Sequence, residues 1–201
     1  MSNSTQYAHA PSDTAAPSGT SASSDTSASS DPSHGGSPDV LLYTTIDSPI
    51  GELLLLGDGD ALHGLYMQGG RKPVAIASAW ERAEAPFAAL TTQLEEYFAG
   101  RRETFDVSLQ MHGSPFERRV WSALQEIPYG ETISYGQLAS RIGQPTGARA
   151  VGLANGRNPI AVIVPCHRVI GADGSLTGYG GGLERKRILL ELEQGQAQLQ
   201  V

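Results

Sequence analysis

Short apolar runs separated by turn residues dominate residues 40–111. Strands are predicted over 40–46, 53–56 and 61–67, because each run is rich in large apolar or β-branched residues and is followed by Gly, Pro, Asp or Ser. A further strand is predicted over 104–109. Between them, apolar residues recur at helical spacing before a glycine: Phe87, Leu90, Leu94, Tyr97, Phe98 and Gly100. This part is therefore predicted to be a small α/β unit.

Helical spacing dominates after residue 112. Ser114 and Glu117 have the spacing of a capping box, with Pro115 at the first helical position. Two shorter helices are predicted over 134–142 and 146–155, joined by a turn that contains Gly and Pro. Such a pair has the helix-turn-helix pattern of many DNA-binding proteins. The same pattern also occurs in helix pairs that only pack a core.

The first 39 residues have a different composition, with twelve serines, four aspartates and no Lys or Arg. A segment with so few large apolar side chains cannot offset its chain entropy, so residues 1–39 are predicted to be a disordered leader. It has no basic start and no apolar core, and it is therefore not expected to be a secretory signal. No apolar run approaches the length that spans a bilayer. Residues 194–201 are predicted to be a polar tail.

The charge is unevenly distributed along the chain. The net charge of −7 argues against a nucleic-acid binder. However, residues 115–187 hold nine basic and five acidic side chains, a local charge of +4. Phosphate binding depends on such a local excess more than on the total.

The only cysteine, Cys166, lies in this basic segment, directly after the apolar run 160–164, which is interpreted as a strand. A single cysteine cannot form an intrachain disulfide or a thiolate metal cage, and it is typical of a reducing, cytosol-like compartment. Two roles remain, inert packing and nucleophilic chemistry. The neighbouring His167 favours chemistry, because an imidazole can accept the thiol proton.

A regular strand would point Cys166 and His167 to opposite faces. A turn after Pro165, or an intervening water, is therefore required if the two side chains act together. Glu191 and Glu193 are the nearest candidates in sequence to orient the histidine. The glycine-rich segment that follows lacks both the phosphate-loop ending and the dinucleotide-binding glycine pattern, so no nucleotide cofactor is expected.

Residues 164–170, Val-Pro-Cys-His-Arg-Val-Ile, resemble the active-site signature of the O6-alkylguanine-DNA alkyltransferases, or methylated-DNA–protein-cysteine methyltransferases. Four further segments match in order and spacing: 135–139, 148–152, 157–159 and 178–183. The resemblance covers residues 114–193 and, less specifically, residues 42–110. It implies an α/β ribonuclease-H-like domain at 40–111 and a mainly helical domain at 112–193 that carries the helix-turn-helix and the active-site cysteine.

The resemblance also implies catalytic roles. Cys166 would take the alkyl group, His167 would act as its base through a water, and Glu193 would hold His167 in the required tautomer. Asn158 would brace the helix-turn-helix against the active-site turn, and Tyr135 would hydrogen-bond or protonate guanine N3. Glu191 lies off the family register.

The implied partner is double-stranded DNA containing O6-alkylguanine, with O4-alkylthymine as a second possible lesion. The damaged base would be rotated out through the minor groove and the protein would be consumed in one turnover. Residues implied to contact the DNA or the flipped base are Arg149, which would fill the gap in the stack, Tyr135, Ala148, Gly152, Val169, Tyr179 and Gly180. Some relatives have Ser or Ala where this chain has Gly180.

No metal or cofactor is expected, because the zinc site of some relatives needs cysteines that this chain lacks. The protein is expected to be a cytoplasmic monomer, associated with the nucleoid if it is bacterial. The main alternative is a non-catalytic binder of alkylated DNA, although such relatives replace the cysteine. A cysteine hydrolase and a helix-turn-helix regulator are the other two interpretations left open.

Overall fold

A four-stranded sheet carries the N-terminal part of the chain. The computed structural model describes residues 40–70 and 73–195, and the predicted leader and most of the predicted tail lie outside these ranges. The strands are β1 (Leu42–Ile46), β2 (Leu53–Gly57), β3 (Leu62–Met67) and β4 (Glu81–Arg82). Their order in the sheet is β3-β2-β1-β4, antiparallel except for the parallel pair of β1 and β4. The strands predicted over 40–46, 53–56 and 61–67 are confirmed, whereas β4 was not predicted.

The two antiparallel connections form because the sequence supplies turn residues at both. Gly51 and Gly59 have φ angles of +94° and +100°, a region that glycine enters without steric cost. The carboxylate of Asp58 accepts hydrogen bonds from the backbone N–H groups of Asp60 and Ala61, which closes the second turn. The central strand β2 is buried along its whole length, as its run of four leucines predicts.

Helix α1 (Ala88–Phe98) covers the sheet and ends where the sequence predicts. Gly100 has a φ of +68°, its N–H donates to the carbonyl of Tyr97, and the N–H of Arg101 donates to that of Glu96. This is a Schellman C-terminus. The strand predicted over 104–109 is wrong. In this segment only Leu109 forms a β-bridge, opposite Leu62. Two backbone hydrogen bonds make the bridge, from Leu62 N–H to the carbonyl of Ser108 and from Gln110 N–H to the carbonyl of Leu62.

The C-terminal part is mainly helical. Helix α2 (Pro115–Gln125) begins with the predicted capping box of Ser114 and Glu117. Helix α3 (Tyr135–Arg141) begins with a second capping box, and α4 (Ala148–Asn155) follows it to complete the helix-turn-helix. The indole N–H of Trp121 donates to the carbonyl of Ala154 over 2.9 Å, which fixes α2 against the end of α4.

The apolar run at 160–164 is a buried turn, so its interpretation as a strand is wrong. Val162 has a φ of +69°, and the N–H of Val164 donates to the carbonyl of Ile160. The run meets the N-terminal sheet only where the N–H of Ala161 and the carbonyl of Pro159 bond to Leu65 of β3. The positive φ reverses the chain just before Cys166 and so delivers it into a turn.

A short parallel pair and a final helix complete the fold. Strand β5 (Ile133–Ser134) pairs with β6 (Val169–Ile170), directly after the Cys166 turn. Helix α5 (Leu183–Glu193) packs its apolar face into a core shared by both halves of the chain. Among the described residues, no helix is long and apolar enough to cross a membrane.

Candidate active site

Cys166 opens a short 3-10 turn, Cys166–Arg168, immediately after Pro165. The sequence analysis required a turn after Pro165 if Cys166 and His167 act together, and the structure has such a turn. The two residues are therefore not held on opposite faces of a strand. The thiol is buried, and burial raises its pKa above the ordinary value, although a hydrogen bond with Asn158 partly offsets this. A thiol of this kind needs a base to become nucleophilic.

His167 is completely buried beside the thiol and is oriented by Glu193. Its Nε2 lies 2.8 Å from Oε1 of Glu193. Since a carboxylate can only accept, this contact assigns the proton to Nε2 and leaves Nδ1 as the basic nitrogen. Nδ1 is buried and makes no hydrogen bond to a described residue. Burial lowers the pKa of His167, so the ring is neutral near neutral pH and Nδ1 carries a lone pair.

The carboxylate of Glu193 is held by donors from four residues, one of which is His167. Arg168 donates from Nε to Oε2 over 2.8 Å and from Nη2 to Oε1 over 2.9 Å. The hydroxyl of Tyr97 donates to Oε1 over 2.7 Å, and the N–H of Gly130 donates to Oε2 over 3.2 Å. Burial opposes the ionisation of Glu193, but its contacts with His167 and Arg168 hold its pKa well below the usual range. The site therefore contains a fixed negative charge behind the histidine.

Two asparagines support the backbone around Cys166. Asn158 donates from Nδ2 to the carbonyl of Val164 over 2.7 Å and accepts at Oδ1 from the N–H of Ile160 over 3.0 Å. Asn155, at the end of α4, donates from Nδ2 to the carbonyl of Cys166 over 3.2 Å. Both asparagines thus connect the helix-turn-helix side of the fold with the active-site turn.

Tyr135 and Lys186 close the other side of the site. The Tyr135 hydroxyl donates to the carbonyl of Thr177 over 3.0 Å, and burial raises the pKa of this phenol. The buried ammonium of Lys186 donates to the carbonyls of Val169 and Thr177 and lies 5.9 Å from the Tyr135 ring. Burial lowers the pKa of Lys186 to about 8. These contacts hold the loop at 177–178 against Tyr135 of α3 and link it through Lys186 to Val169 of β6.

An open cavity of about 930 Å³ reaches Cys166. This volume lies within the range typical of small-molecule sites. Both halves of the chain line it: Leu65, Tyr66 and Met67 of β3, Gly152 and Asn155 of α4, then Asn158, Cys166, Tyr179 and Gly180. The wall is mostly apolar.

Of the remaining sequence-predicted residues, Gly152, Tyr179 and Gly180 line this cavity, whereas Ala148, Arg149 and Val169 do not. Arg149 is exposed and the adjacent Ala148 is half-buried, both in the first turn of α4. Gly152 faces the Tyr135 ring, since a Cβ at this position would lie 3.6 Å from it. Val169 is buried, and its carbonyl accepts a hydrogen bond from Lys186.

Sequence reasoning missed four residues of the site: Tyr97, Asn155, Arg168 and Lys186. Arg168 is a basic residue directly before the apolar pair Val169 and Ile170, and that signal was available in the sequence. Lys186 stands between Arg185 and Arg187, and nothing local marks it as buried. Tyr97 was assigned only to the buried face of a helix, and nothing local marks its hydroxyl. Its partner Glu193 lies 96 residues away in the chain.

Two domains of one known protein family match adjacent parts of the sequence, which together include nearly all described residues. Residues 41–111 match the 6-O-methylguanine DNA methyltransferase, ribonuclease-like domain, and residues 115–195 match the DNA binding domain of the same family. The chain belongs to the 6-O-methylguanine DNA methyltransferase family. It therefore combines an N-terminal ribonuclease-like domain with a C-terminal DNA-binding domain, and it is a methyltransferase of DNA repair.

Individual relatives agree with this membership. The methylated-DNA–protein-cysteine methyltransferase of Mycobacterium tuberculosis is 56% identical over 156 residues, which are 77% of this chain and 93% of the relative. That of Methanosarcina acetivorans is 52% identical over 76% of this chain and 98% of its own. The crystal structure of Mycobacterium tuberculosis OGT in complex with DNA is 56% identical, covers 78% of this chain and 94% of that chain, and superposes with a TM-score of 0.73.

Proposed function

We propose that this chain repairs O6-alkylguanine in duplex DNA by transferring the alkyl group to its own Cys166. The supporting observation is the position of the only cysteine in the chain, at a cavity of the DNA-binding domain and beside the buried pair of His167 and Glu193. The family accepts the group on a protein cysteine, and no other cysteine is present to do so.

The proton moves away from the thiol before or as the sulfur attacks. Nδ1 of His167 takes it through a water, and the ionised Glu193 stabilises the imidazolium that results. A sulfur–carbon bond then forms while the bond between the alkyl carbon and O6 breaks. The bonding electrons leave with the guanine, and Tyr135 releases its bond to Thr177 to donate to N3 of the departing base.

The helix-turn-helix presents the damaged base to the cavity. The reactive carbon lies inside a duplex, so the nucleotide is rotated out at a cost of about a few kcal/mol. Ala148 and Gly152 keep one face of α4 flat enough for a narrow minor groove, and the exposed Arg149 enters the gap in the stack. The backbone at Val169 and Gly180 meets the base edge, and Tyr179 forms a wall of the pocket.

The reaction is stoichiometric, because a thioether is stable and the site offers no means to cleave it. The protein acts as a monomer in the cytoplasm, close to the DNA. Its two domains are residues 40–111 and 112–193, with the leader 1–39 and the tail 194–201 outside them. O4-alkylthymine is a possible second substrate. No metal or cofactor takes part.

Intact mass spectrometry tests the proposal directly. The protein is incubated with a duplex that contains one O6-methylguanine, and its peptides are then mapped. We expect a gain of one methylene per chain, located on Cys166 and saturating at one equivalent, with no gain in Cys166→Ala. A Cys166→Ala variant that still binds the duplex shows that the loss is chemical.

A wild-type protein that binds the lesion without a mass gain would support the alternative, a non-catalytic binder of alkylated DNA. A protein that shows no binding to the lesion and no mass gain would contradict both the alkyltransferase and the non-catalytic binder. A chromogenic ester assay would then address the cysteine hydrolase. Cys166 itself argues against the non-catalytic binder, because that class lacks the acceptor thiol.

A further inference from the structure

Arg185 connects the first turn of α5 to the end of strand β3. Its Nη2 donates to the carbonyl of Gln68 over 2.7 Å, a contact between residues that are 117 positions apart in the chain. Its Nη1 lies 3.5 Å from the carbonyl oxygen of Gly181, in the loop that leads into α5. Hydrogen bonds from a charged guanidinium are roughly twice as strong as those between neutral groups. One half-buried side chain therefore contacts the end of the N-terminal sheet and the glycine-rich loop together.

Glycines leave the space that this guanidinium occupies. A Cβ at Gly51 would lie 3.0 Å from Nη2 of Arg185, and a Cβ at Gly70 would lie 3.3 Å from Nη1. The same Cβ at Gly70 would lie 3.7 Å from the carbonyl oxygen of Gly180. A side chain at either position would crowd Arg185. The backbone therefore comes close to the guanidinium from the β1–β2 turn and from the segment after β3.

The two segments that Arg185 contacts are walls of the Cys166 cavity. Met67, directly before Gln68, and Gly181 both line this cavity. The walls touch each other, because a Cβ at Gly181 would collide with Sδ of Met67. The N–H of Gly182 donates to the carbonyl of Tyr179 over 3.1 Å, so the position of this turn also sets that of Tyr179, another lining residue.

The loop needs such an anchor because of its composition. Four of the five residues over 178–182 are glycines, which restrict the backbone less than any other residue. At its start, the ammonium of Lys186 holds the carbonyl of Thr177 over 2.9 Å. At its end, Arg185 reaches back to Gly181 and across to Gln68. Adjacent residues of α5 thus hold the two ends of one loop, and only Arg185 ties it to the N-terminal sheet.

We infer that Arg185 is a positioning residue, which holds the loop 178–182 against the end of β3, fixes the width of the Cys166 cavity and so sets the rate of alkyl transfer. The inference rests on the proposed function, because the rate is that of transfer to Cys166. A guanidinium suits this role because its planar fork can donate to two carbonyls at once.

Single-turnover transfer from a duplex with one O6-methylguanine, at saturating duplex concentration, tests the inference. Arg185→Met keeps a side chain of similar length without donors. Its maximal rate is expected to fall roughly 10- to 100-fold, because a misplacement of about 1 Å can cost this much at a reacting site. The half-saturating duplex concentration should not change, since the helix-turn-helix holds the duplex. Arg185→Lys keeps the charge without the fork and should recover part of the rate.

Two further readouts separate positioning from other roles of Arg185. A variant that is merely less stable would leave part of the protein unfolded and transfer less than one methyl group per chain. A displaced loop instead slows the transfer and leaves its end point at one. Free O6-benzylguanine carries no phosphate, so a loss of similar size with this substrate shows that Arg185 does not act through the DNA backbone.

Arg187→Ala is the matched control. Arg187 lies two positions further along α5, is exposed, and pairs with Glu184 and Glu191. It does not line the cavity. Its removal takes away the same charge from the same helix, and because exposed ion pairs contribute little, the transfer rate should stay at the wild-type value.

Three results would overturn the inference. The first is an Arg185→Met protein that reacts at the wild-type rate. The second is a loss confined to the duplex, with free O6-benzylguanine reacting normally, and the third is an equal loss in Arg187→Ala. A wild-type protein that transfers nothing from O6-methylguanine would refute the proposed function itself, which keeps the two failures distinct.

Discussion

Tyr97→Phe removes one oxygen atom from the core and tests whether the N-terminal domain stabilises the catalytic carboxylate. The Tyr97 hydroxyl donates to Oε1 of Glu193 over 2.7 Å. Its ring is fully buried and packs against Phe98, Phe105 and Tyr129. Phenylalanine preserves these ring contacts, so the change isolates the hydrogen bond.

The magnitude follows from the nature of the acceptor. A hydrogen bond to a charged group contributes about 1.5–3 kcal/mol to stability. Glu193 keeps its bonds to His167 and Arg168 after the change, so it is not left as an unpaired buried charge. We therefore expect the free energy of unfolding to fall by about 2 kcal/mol. For a protein of this size, this lowers the melting temperature by about 4–8 °C.

Urea unfolding followed by both fluorescence and circular dichroism measures the change. Tyr43→Phe is the matched control, because Tyr43 is half-buried in β1 and its hydroxyl makes no hydrogen bond to a described residue. The Tyr97 variant should still transfer the methyl group, since the contact between His167 and Glu193 persists. A loss no larger than that of Tyr43→Phe would show that the Tyr97 hydroxyl contributes nothing to the stability of the site.

Two further predictions concern the DNA surface and the response to acid. Arg149→Ala should slow repair in duplex DNA at least tenfold while leaving the reaction with free O6-benzylguanine nearly unchanged, because only the duplex leaves a gap in the stack; equal losses on both substrates would remove Arg149 from base flipping. The carboxyl pKa values of Asp58 and Glu117 are lowered to about 2 and that of Glu193 further, so these groups bind protons less readily when folded. Their stabilisation is complete above the unfolded pKa values, 3.8 for Asp58 and 4.5 for the two glutamates, and it is lost progressively as the pH falls toward 2 and below; melting temperatures that stay constant from pH 5 to 2 would contradict this.

Local chemistry explains which elements could be predicted from the sequence. The capping box at Ser114 and the glycine at position 100 place helix ends through contacts within a few residues, and both appear as predicted. The run at 160–164 has the composition of a strand, but Val162 adopts a positive φ within a buried turn. A β-branched residue in that conformation is stabilised by its surroundings in the folded protein, and no sequence pattern reports such a constraint.

The candidate site was predictable to the extent that its residues form a contiguous signature. Cys166 and His167 are adjacent in the chain, and the family resemblance supplies Glu193. Tyr97 and Asn155 could not be identified in this way, because their roles depend on which atoms remain paired after folding. Tyr97 matters through a contact across 96 residues, and Asn155 through its hydrogen bond to the carbonyl of Cys166.

The distribution of these contacts explains why the N-terminal domain accompanies a catalytic domain that already carries the cysteine. Residues 40–111 contain no catalytic constellation of their own, yet Tyr97 of α1 donates to Glu193, and β3 forms one wall of the cavity. Arg168 is buried against the same carboxylate. A shift of Glu193 would therefore leave the buried guanidinium of Arg168 without its partner and would break the contact with His167. Buried pairs of this kind are costly to disturb, by about 3–5 kcal/mol when one partner is removed. The N-terminal domain therefore contributes to the site by helping to hold the carboxylate, and separating the two domains would remove the Tyr97 bond and one wall of the cavity.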